Sequence, residues 1–319
     1  MTVTPFYAIL FPKANIHNFQ SSEETKMRQF LLGTDWWTDC DDAVALRLLA
    51  RAVKRGEIRL LGVAINACME QSVASLTGFL KAEGIEGVPV GLDSEAIDFG
   101  GRLTYQMRLA SELAPDVTNA DAEDPVRLYR RLLAEATEPV EILEIGFLQV
   151  VAALLKSGAD DISEKSGLEL VREKVSKFWV MAGKWDADGE KENNFCRNGR
   201  SREAGKIFCE LCPVPVTFLG FEVGYGVISG GKLREDDFLH HVLVDHGSRG
   251  GRHSWDPMLV LMALIGDEEA AGYTVVAGVA SVDAETGKNY FVRDHSGKHK
   301  FVIKRRENRF YEEQIDAGL

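Results

Sequence analysis

The alternation of short apolar runs with helical patterns constrains the fold of this chain more than any other feature. Apolar runs bounded by polar residues predict strands at 30–33, 58–65, 88–90, 140–145, 178–181 and 216–219. Patterns with helical spacing predict helices at 42–54, 71–82, 126–136, 148–156, 168–175, 202–212 and 255–265. Strands that are apolar along their whole length are typical of parallel sheets covered on both faces. The sequence therefore predicts an α/β protein with an open, mainly parallel sheet flanked by helices.

The two ends of the chain have different patterns. Residues 273–304 alternate as antiparallel strands do, and Glu285-Thr-Gly287 and His295-Ser-Gly297 are typical turn sequences, which predicts a C-terminal β-meander. Residues 1–27 precede the first clear strand and are interpreted as an N-terminal extension. Because no linker interrupts the remaining pattern, we expect residues 28–319 to form a single domain.

Composition narrows the class of partner and the compartment. The 319 residues are 45% hydrophobic, enough for a large core, and the net charge of −12 argues against binding to nucleic acid or to membranes, which are anionic. The N-terminus lacks the basic region of a secretory signal. Five scattered cysteines do not form a disulfide framework, and Cys209 and Cys212 are interpreted as ordinary buried thiols. We expect a cytoplasmic protein.

An acidic loop directly follows the first predicted strand. It contains Asp35, Asp39, Asp41 and Asp42 within eight positions. Folding clustered anions together costs free energy that a cation offsets, and all-oxygen ligation suits Ca²⁺ or Mg²⁺ rather than zinc. The alternative is a solvated acidic turn in which one aspartate caps the next helix. Because open α/β sheets bind ligands beyond the carboxyl ends of their strands, we interpret the loop as a metal site.

Polar residues follow other predicted strands as well. They occur in the segments at Asn66, Gly146-Phe-Leu148, Glu192-Asn193-Asn194, Gly220-Phe-Glu222 and, before the last predicted helix, Ser254-Trp-Asp256. The carboxyl ends of parallel strands meet at one edge of a sheet, so we expect these segments to surround one pocket.

This ordered set of motifs resembles the inosine-uridine-preferring nucleoside hydrolase superfamily. In one branch of that family the acidic motif has the form Thr-Asp-x-x-x-Asp-x-Asp-Asp-Ala, and residues 34–43 match it. The resemblance covers nearly the whole chain after residue 29. It includes Leu-Gly-Val-x-Ile-Asn66, Ile145-Gly146-x-Leu148, Met181-Ala-Gly183, Glu192-Asn193-Asn194, Gly220-Phe-Glu222-Val-Gly224 and Ser254-Trp-Asp256.

The resemblance implies a nucleoside hydrolase-like fold, one Ca²⁺ at the bottom of the pocket, and hydrolysis of the N-glycosidic bond of ribonucleosides. Matched position by position, the implied metal ligands are Asp35, Asp42, Asp256 and the backbone carbonyl of Ile145. Asp35 is also the implied general base on a water bound to the metal. Asp256 and Asn194 are counted with it as catalytic residues.

The resemblance also implies a set of substrate-binding residues. Asp41 is expected to bind a ribose hydroxyl, and Glu192 and Asn194 match the acid and the amide that hold the ribose. Asn66 is a further expected contact to ribose or water. Glu222 is interpreted either as a pocket residue or as a structural partner of loop backbone.

The leaving base is the least defined part of this interpretation. Many family members have a histidine immediately before the aspartate that corresponds to Asp256, where it can protonate the base, and this chain has Trp255 there. His253 is a weaker candidate for that acid. Trp255, Trp36, Trp37 and Trp185 can each stack on a base or pack in the core.

Other functions remain open from the sequence. A haloacid-dehalogenase-like phosphatase also has an acidic motif after its first strand, but it requires Asp-x-Asp, and position 37 is tryptophan. A second alternative is a non-catalytic ribonucleoside- or ribose-binding protein on the same scaffold, because Trp255 replaces the expected acid. For the hydrolase and for the ribose-binding protein alike, the expected partner is a small nucleoside. Because the family usually forms homodimers or homotetramers, the resemblance also implies a homo-oligomer.

Overall fold

The computed structural model describes residues 27–319, so the predicted extension at 1–27 lies, apart from Met27, outside the described residues. That residues 28–319 form a single domain stays a prediction. The first elements are β1 (Arg28–Thr34), α1 (Asp41–Lys54), β2 (Ile58–Ile65), α2 (Ser72–Ala82), β3 (Val90–Leu92), α3 (Gln106–Leu113), α4 (Pro125–Glu135), β4 (Val140–Glu144), α5 (Gln149–Lys156), α6 (Gly167–Lys174) and β5 (Val175–Met181). They are followed by β6 (Glu190–Lys191), α7 (Asn193–Cys196), α8 (Gly199–Leu211), β7 (Val216–Leu219), α9 (Phe221–Gly224), β8 (Ile228–Ser229), α10 (Phe238–His246), β9 (Arg252–His253), α11 (Trp255–Ile265), β10 (Tyr273–Val282), β11 (Lys288–Arg293), β12 (His299–Lys304) and α12 (Asn308–Gly318).

Ten of the described strands form one sheet in the order β3-β2-β1-β4-β5-β7-β12-β10-β11-β6. The first seven strands in this order, beginning with β3 and ending with β12, are parallel to one another. The last three strands, β10, β11 and β6, continue the sheet with antiparallel pairing. The mainly parallel sheet predicted from the apolar runs is therefore confirmed. β3 begins two residues later than predicted, after Pro89, which has no amide hydrogen to donate to a ladder.

The C-terminal strands are antiparallel, as predicted, but β10 rather than β11 lies in the middle. β12 pairs with β10 on one side and with β7 on the other. Phe301 and Val302 of β12 are buried, whereas Val292 of β11 is 68% exposed. β12 is the more apolar of these two strands, and it takes the inner position beside β7, which is covered on both faces. Burial of apolar area stabilises it there.

The core has two layers, one on each face of the sheet. Along β1, Phe30 and Leu32 belong to one buried cluster and Leu31 belongs to the other, since successive side chains point to opposite faces. Helices α1, α2 and α11 contribute to the first layer, and α4, α5 and α8 contribute to the second. Within residues 27–319, no helix is both long enough and apolar enough to span a membrane.

A buried ion-pair network fixes α1 against its neighbours. The Arg47 side chain is 2% exposed, donates two hydrogen bonds of 2.7 and 2.9 Å to Asp237, and also donates to Glu83, which is itself 2% exposed. These contacts join α1 to the end of α2 and to the start of α10.

We expect Arg47→Met to lower the free energy of unfolding by about 3–5 kcal/mol, because it leaves the Glu83 carboxylate buried without its partner. Denaturant unfolding measures this value. The matched control is Arg309→Met, which removes an arginine that is 84% exposed and paired with Glu313, and we expect it to cost less than about 1 kcal/mol. If both substitutions lowered the free energy of unfolding equally, the buried ion pairs of Arg47 would not stabilise the fold more than a surface ion pair does.

Candidate active site

The acidic loop leaves the carboxyl end of β1 and leads into the first turn of α1. Trp36 adopts a left-handed backbone with φ 42°, which is rare for a residue other than glycine. Its amide donates to Thr34 Oγ1 at 3.1 Å and to Asp42 Oδ1 at 3.4 Å, and the amide of Trp37 donates to Asp35 Oδ1 at 3.2 Å. These bonds hold the carboxylates of Asp35 and Asp42 against the turn.

Three carboxylates converge at this turn. One oxygen atom each from Asp41, Asp42 and Asp256 lies within 4.8 Å of the others. The side chain of Asp41 also accepts a 3.2 Å hydrogen bond from the backbone amide of Asp256, which ties the acidic loop to the start of α11. Asp41 and Asp256 thus share one site although 215 positions separate them in the sequence. Both lie where the sequence motifs predict them, at the same pocket.

The carboxylates are buried together with Asp35. Their exposed fractions are 8% for Asp35, 3% for Asp41, 2% for Asp42 and 4% for Asp256. Burial, together with the charges of Asp41 and Asp39, raises the pKa of Asp35 to about 8. Burial and the neighbouring aspartates also raise the pKa values of the other three well above the ordinary range.

This donor set fits a hard divalent cation. Within residues 27–319, none of these four carboxylates forms an ion pair with a lysine, arginine or histidine. Two ligands at the Ca²⁺–oxygen distance of about 2.4 Å lie at most about 4.8 Å apart, and the three clustered oxygens satisfy that limit. The structure therefore contains an all-oxygen cluster that can hold a metal ion.

A cavity of about 440 Å³ opens above the cluster, within the range of small-molecule sites. Residues from several loops at the carboxyl edge of the sheet surround it. They are Asp35, Trp37, Thr38, Asp39, Asp41, Asp42, Gly101, Ile145, Met181, Glu192, Asn193, Asn194, Arg197, Phe221, Trp255 and Asp256. All four predicted metal ligands and most of the predicted substrate-binding residues thus line one cavity, although the group of three converging carboxylates contains Asp41, predicted as a ribose contact, and not Asp35.

Glu192 and Asn194 are held in fixed orientations beside the cluster. The two carboxylate oxygens of Glu192 accept 2.9 Å hydrogen bonds from the amides of Asn194 and Gly183, and burial raises the pKa of Glu192 to about 7. The side-chain nitrogen of Asn194 donates to the carbonyl of Met181 at 2.8 Å. This orientation leaves the Asn194 carbonyl oxygen as the acceptor for a ligand.

Two predicted substrate contacts do not line the cavity. Asn66 is fully buried and its Oδ1 accepts a 2.9 Å hydrogen bond from the amide of Phe147. A Cβ on Gly146 would overlap the Asp35 amide nitrogen and lie 2.6 Å from Asn66 Oδ1, so only glycine fits between them. Glu222 accepts a 3.3 Å hydrogen bond from the amide of Trp185, which agrees with the structural interpretation of that residue.

The tryptophans considered for base stacking divide into two groups. Trp36 packs edge-to-face on Phe79 and Tyr105, and Trp185 packs among phenylalanines of the core. Trp37 and Trp255 line the cavity, and Trp255 stacks on Phe221 with ring centroids 5.3 Å apart. Both Trp36 and Trp37 are buried, but of the two only Trp37 reaches the wall of the cavity.

An ion pair beside the cluster has no signal in the sequence. Asp39 accepts two hydrogen bonds from Arg252, at 2.5 and 2.8 Å, although 213 positions separate the residues. Burial favours a higher pKa for Asp39, but the bonds and charge of Arg252 outweigh it and lower that pKa. Asp39 is therefore an anion with its own cation, unlike the three carboxylates of the cluster.

His253, the weaker candidate acid, lies outside the cavity lining. Its Nδ1 accepts a 3.0 Å hydrogen bond from the Gly226 amide, and its ring stacks on Tyr225 at 4.8 Å. Cys209 and Cys212 are buried free thiols, as expected.

Comparison with solved structures identifies the fold. A plant nucleoside hydrolase, PpNRh1, aligns with a TM-score of 0.67 at 15% identity over 92% of this chain and 100% of its own. The type III effector protein XopQ, in complex with adenosine diphosphate ribose, gives 0.66 at 17% identity over 92% and 94%. The inosine-uridine preferring nucleoside hydrolase from Bacillus anthracis gives 0.65 at 15% identity over 92% and 99%.

Sequence comparison adds nothing to this result. No protein-family model matches the chain, and no curated protein is significantly similar to it. The likeness to solved structures confirms the nucleoside hydrolase-like fold expected from the motifs. At sequence identities this low, the likeness shows the fold alone.

Proposed function

We propose that this protein is a metal-dependent N-ribosyl hydrolase that cleaves the N-glycosidic bond of ribonucleosides or of a related N-riboside. The observation that carries the proposal is one cavity in which the buried carboxylates meet the oriented side chains of Glu192 and Asn194. The similar folds that are named nucleoside hydrolases support it.

We propose Ca²⁺ as the metal. Asp42 and Asp256 would hold the ion together with Asp35 and the carbonyl oxygen of Ile145, and Asp41, in the same cluster, would lie within reach of the ion and of a ribose hydroxyl. Ca²⁺ takes six to eight oxygen ligands, so positions remain for water and sugar hydroxyls. When bound, the ion would orient the ribose diol and lower the pKa of the attacking water.

The remaining chemistry falls to side chains of the cavity. Breaking the bond between C1′ and the base nitrogen develops positive charge on the ribose ring while water attacks C1′. Asp35 would accept the proton of that water. The carboxylate of Glu192 and the carbonyl oxygen of Asn194 would bind ribose hydroxyls and stabilise the cationic ring electrostatically.

The test uses 4-nitrophenyl β-D-ribofuranoside, whose leaving group needs no proton, so it reports on the ribosyl part of the site alone. We expect release of 4-nitrophenolate that a chelator suppresses and that added calcium restores. No release from the folded protein at saturating calcium would contradict the proposal.

A non-catalytic ribose- or nucleoside-binding protein is the second candidate. It is favoured by the cavity lining, which among the described residues includes no histidine, tyrosine, cysteine or lysine to protonate a base. In that case the riboside would not be hydrolysed with calcium present, while ribose or a nucleoside would still raise the melting temperature. Oligomeric state and compartment stay predictions.

A further inference from the structure

Among the described residues, the lining of the cavity includes no histidine, tyrosine, cysteine or lysine that could protonate a departing base. Among the described residues that line it, the polar side chains are carboxylates, two asparagines, Thr38 and Arg197. A guanidinium does not give up its proton in proteins, and a threonine hydroxyl is far too weak an acid to give up its proton at neutral pH. Both oxygens of Glu192 already accept backbone hydrogen bonds, so this carboxylate is arranged as an acceptor.

Among the described residues, the phenol and the imidazole beside the aromatic wall belong to Tyr225 and His253, which lie outside the lining. Tyr225 and His253 stack on each other, and Tyr225 also stacks on Phe221 at 5.5 Å. The bond from the Gly226 amide to His253 Nδ1 fixes the imidazole in this stack. With a divalent ion bound, the aspartates that hold it would be ionised, so none of the described lining residues is then placed to protonate a departing base.

The charge of the cavity favours a cationic ligand. Six carboxylates line it, and Arg197 is the one cation among its described lining residues. Arg197 donates two hydrogen bonds to the carbonyl of Phe99 and lies over the ring of Trp37 at 4.6 Å, so it is held at the wall. Arg252 already neutralises Asp39, and a divalent ion would neutralise two charges of the other five carboxylates when they are ionised, so an excess of negative charge over Arg197 remains to attract a positive substrate.

The wall also provides aromatic faces. Phe221 is 36% exposed, and its ring stacks on Trp255, which lines the same cavity. The faces of aromatic rings carry partial negative charge and attract flat cations. An apolar base would find these rings equally accessible, so the distinguishing observation is the combination of rings, excess negative charge and missing acid.

We propose, resting on the N-ribosyl hydrolase function above, that the preferred substrates are N-ribosides of cationic heterocycles, in particular N-ribosylpyridinium compounds. The bond from C1′ to the pyridinium nitrogen breaks and its electron pair returns to that nitrogen, which leaves as a neutral pyridine. The water oxygen bonds to C1′, and the proton of the water passes to Asp35 and then to solvent. The products are ribose, the neutral pyridine and one proton, and no acid is needed.

The test compares kcat/KM for nicotinamide riboside, inosine and uridine, with 4-nitrophenyl β-D-ribofuranoside as the reference. Since a positioned acid contributes about 10²–10⁴-fold to the departure of a base, we expect nicotinamide riboside to exceed both nucleosides by at least about tenfold. A smaller ratio, with the reference hydrolysed, overturns the inference and leaves the proposed function standing. If the reference is not hydrolysed either, both fail.

A pair of variants separates acid catalysis from loss of the aromatic ring. Trp255→His places an imidazole in the cavity wall, so we expect it to raise kcat/KM for inosine relative to nicotinamide riboside. Trp255→Phe keeps a ring without a proton donor, and we expect the ratio to stay in favour of nicotinamide riboside. A cooperative thermal unfolding transition confirms that each variant is folded. If Trp255→Phe lowers the ratio of kcat/KM for nicotinamide riboside to kcat/KM for inosine as much as Trp255→His does, the missing acid does not set the preference for nicotinamide riboside.

Discussion

Asp35→Asn is expected to lower kcat for hydrolysis of 4-nitrophenyl β-D-ribofuranoside by about 10²–10⁴-fold, the contribution of a positioned general base. The substitution keeps the shape of the side chain and its acceptor for the Trp37 amide, but the amide group cannot take a proton from water. Because the expected effect is on the chemical step, it should appear in kcat at saturating riboside and calcium.

The control for this experiment is Asp161→Asn. Asp161 is 70% exposed and forms a surface ion pair with Arg127, so the same change of charge is made away from the cavity. We expect activity within about twofold of the unaltered protein, as for most surface substitutions. Activity of Asp35→Asn within tenfold of the control would exclude Asp35 as the base.

Asp256→Asn is expected to have opposite effects on stability with and without calcium. In chelator it removes a carboxyl group whose pKa is raised by burial and by the neighbouring aspartates, which costs free energy of folding at neutral pH, so the melting temperature should rise. Calcium at about 100 times its dissociation constant stabilises a one-site protein by about 2.7 kcal/mol, and we expect the variant to lose most of this stabilisation. Thermal unfolding in chelator and in calcium measures both effects. An unchanged calcium response would remove Asp256 from the metal site.

The pH dependence of the metal-free protein follows from the same carboxylates. Burial raises the pKa of Asp35 to about 8, whereas an unfolded aspartate has a pKa of about 3.9. Between these values the unfolded chain has released the proton and the folded chain has kept it, so stability falls as pH rises. We therefore expect the metal-free protein to melt at a lower temperature at pH 8 than at pH 5. Calcium should diminish this difference, because it favours the ionised carboxylates.

The elements that sequence predicted well are those with local signals. Asp124 followed by Pro125 is a helix start, and the structure has Asp124 as the N-cap of α4, accepting from the amide of Arg127 at 2.8 Å. Apolar runs located the parallel strands to within a few residues. The insertion of β12 between β7 and β10 depends on which strands pair, and pairing between distant segments has no local pattern.

The residues of the candidate site also divide into those that a sequence motif marks and those whose position depends on contacts between distant segments. The acidic loop was identifiable because it follows the first predicted strand, whereas Asp256 was assigned as a ligand through the resemblance of the ordered motifs to the nucleoside hydrolase family. The pairing of Asp39 with Arg252 depends on two distant segments meeting, and neither residue type marks its partner. That Trp37 rather than Trp36 reaches the cavity also has no signal in the apolar pattern, which does not encode the left-handed backbone at position 36.

Calorimetric titration of calcium into the chelator-treated protein tests the central claim most directly. We predict saturable binding of about one ion per chain, with an enthalpy that depends on the ionisation heat of the buffer, because buried carboxylates with raised pKa values must release protons to bind the ion. A folded protein that shows no saturable binding at millimolar calcium would contradict the account.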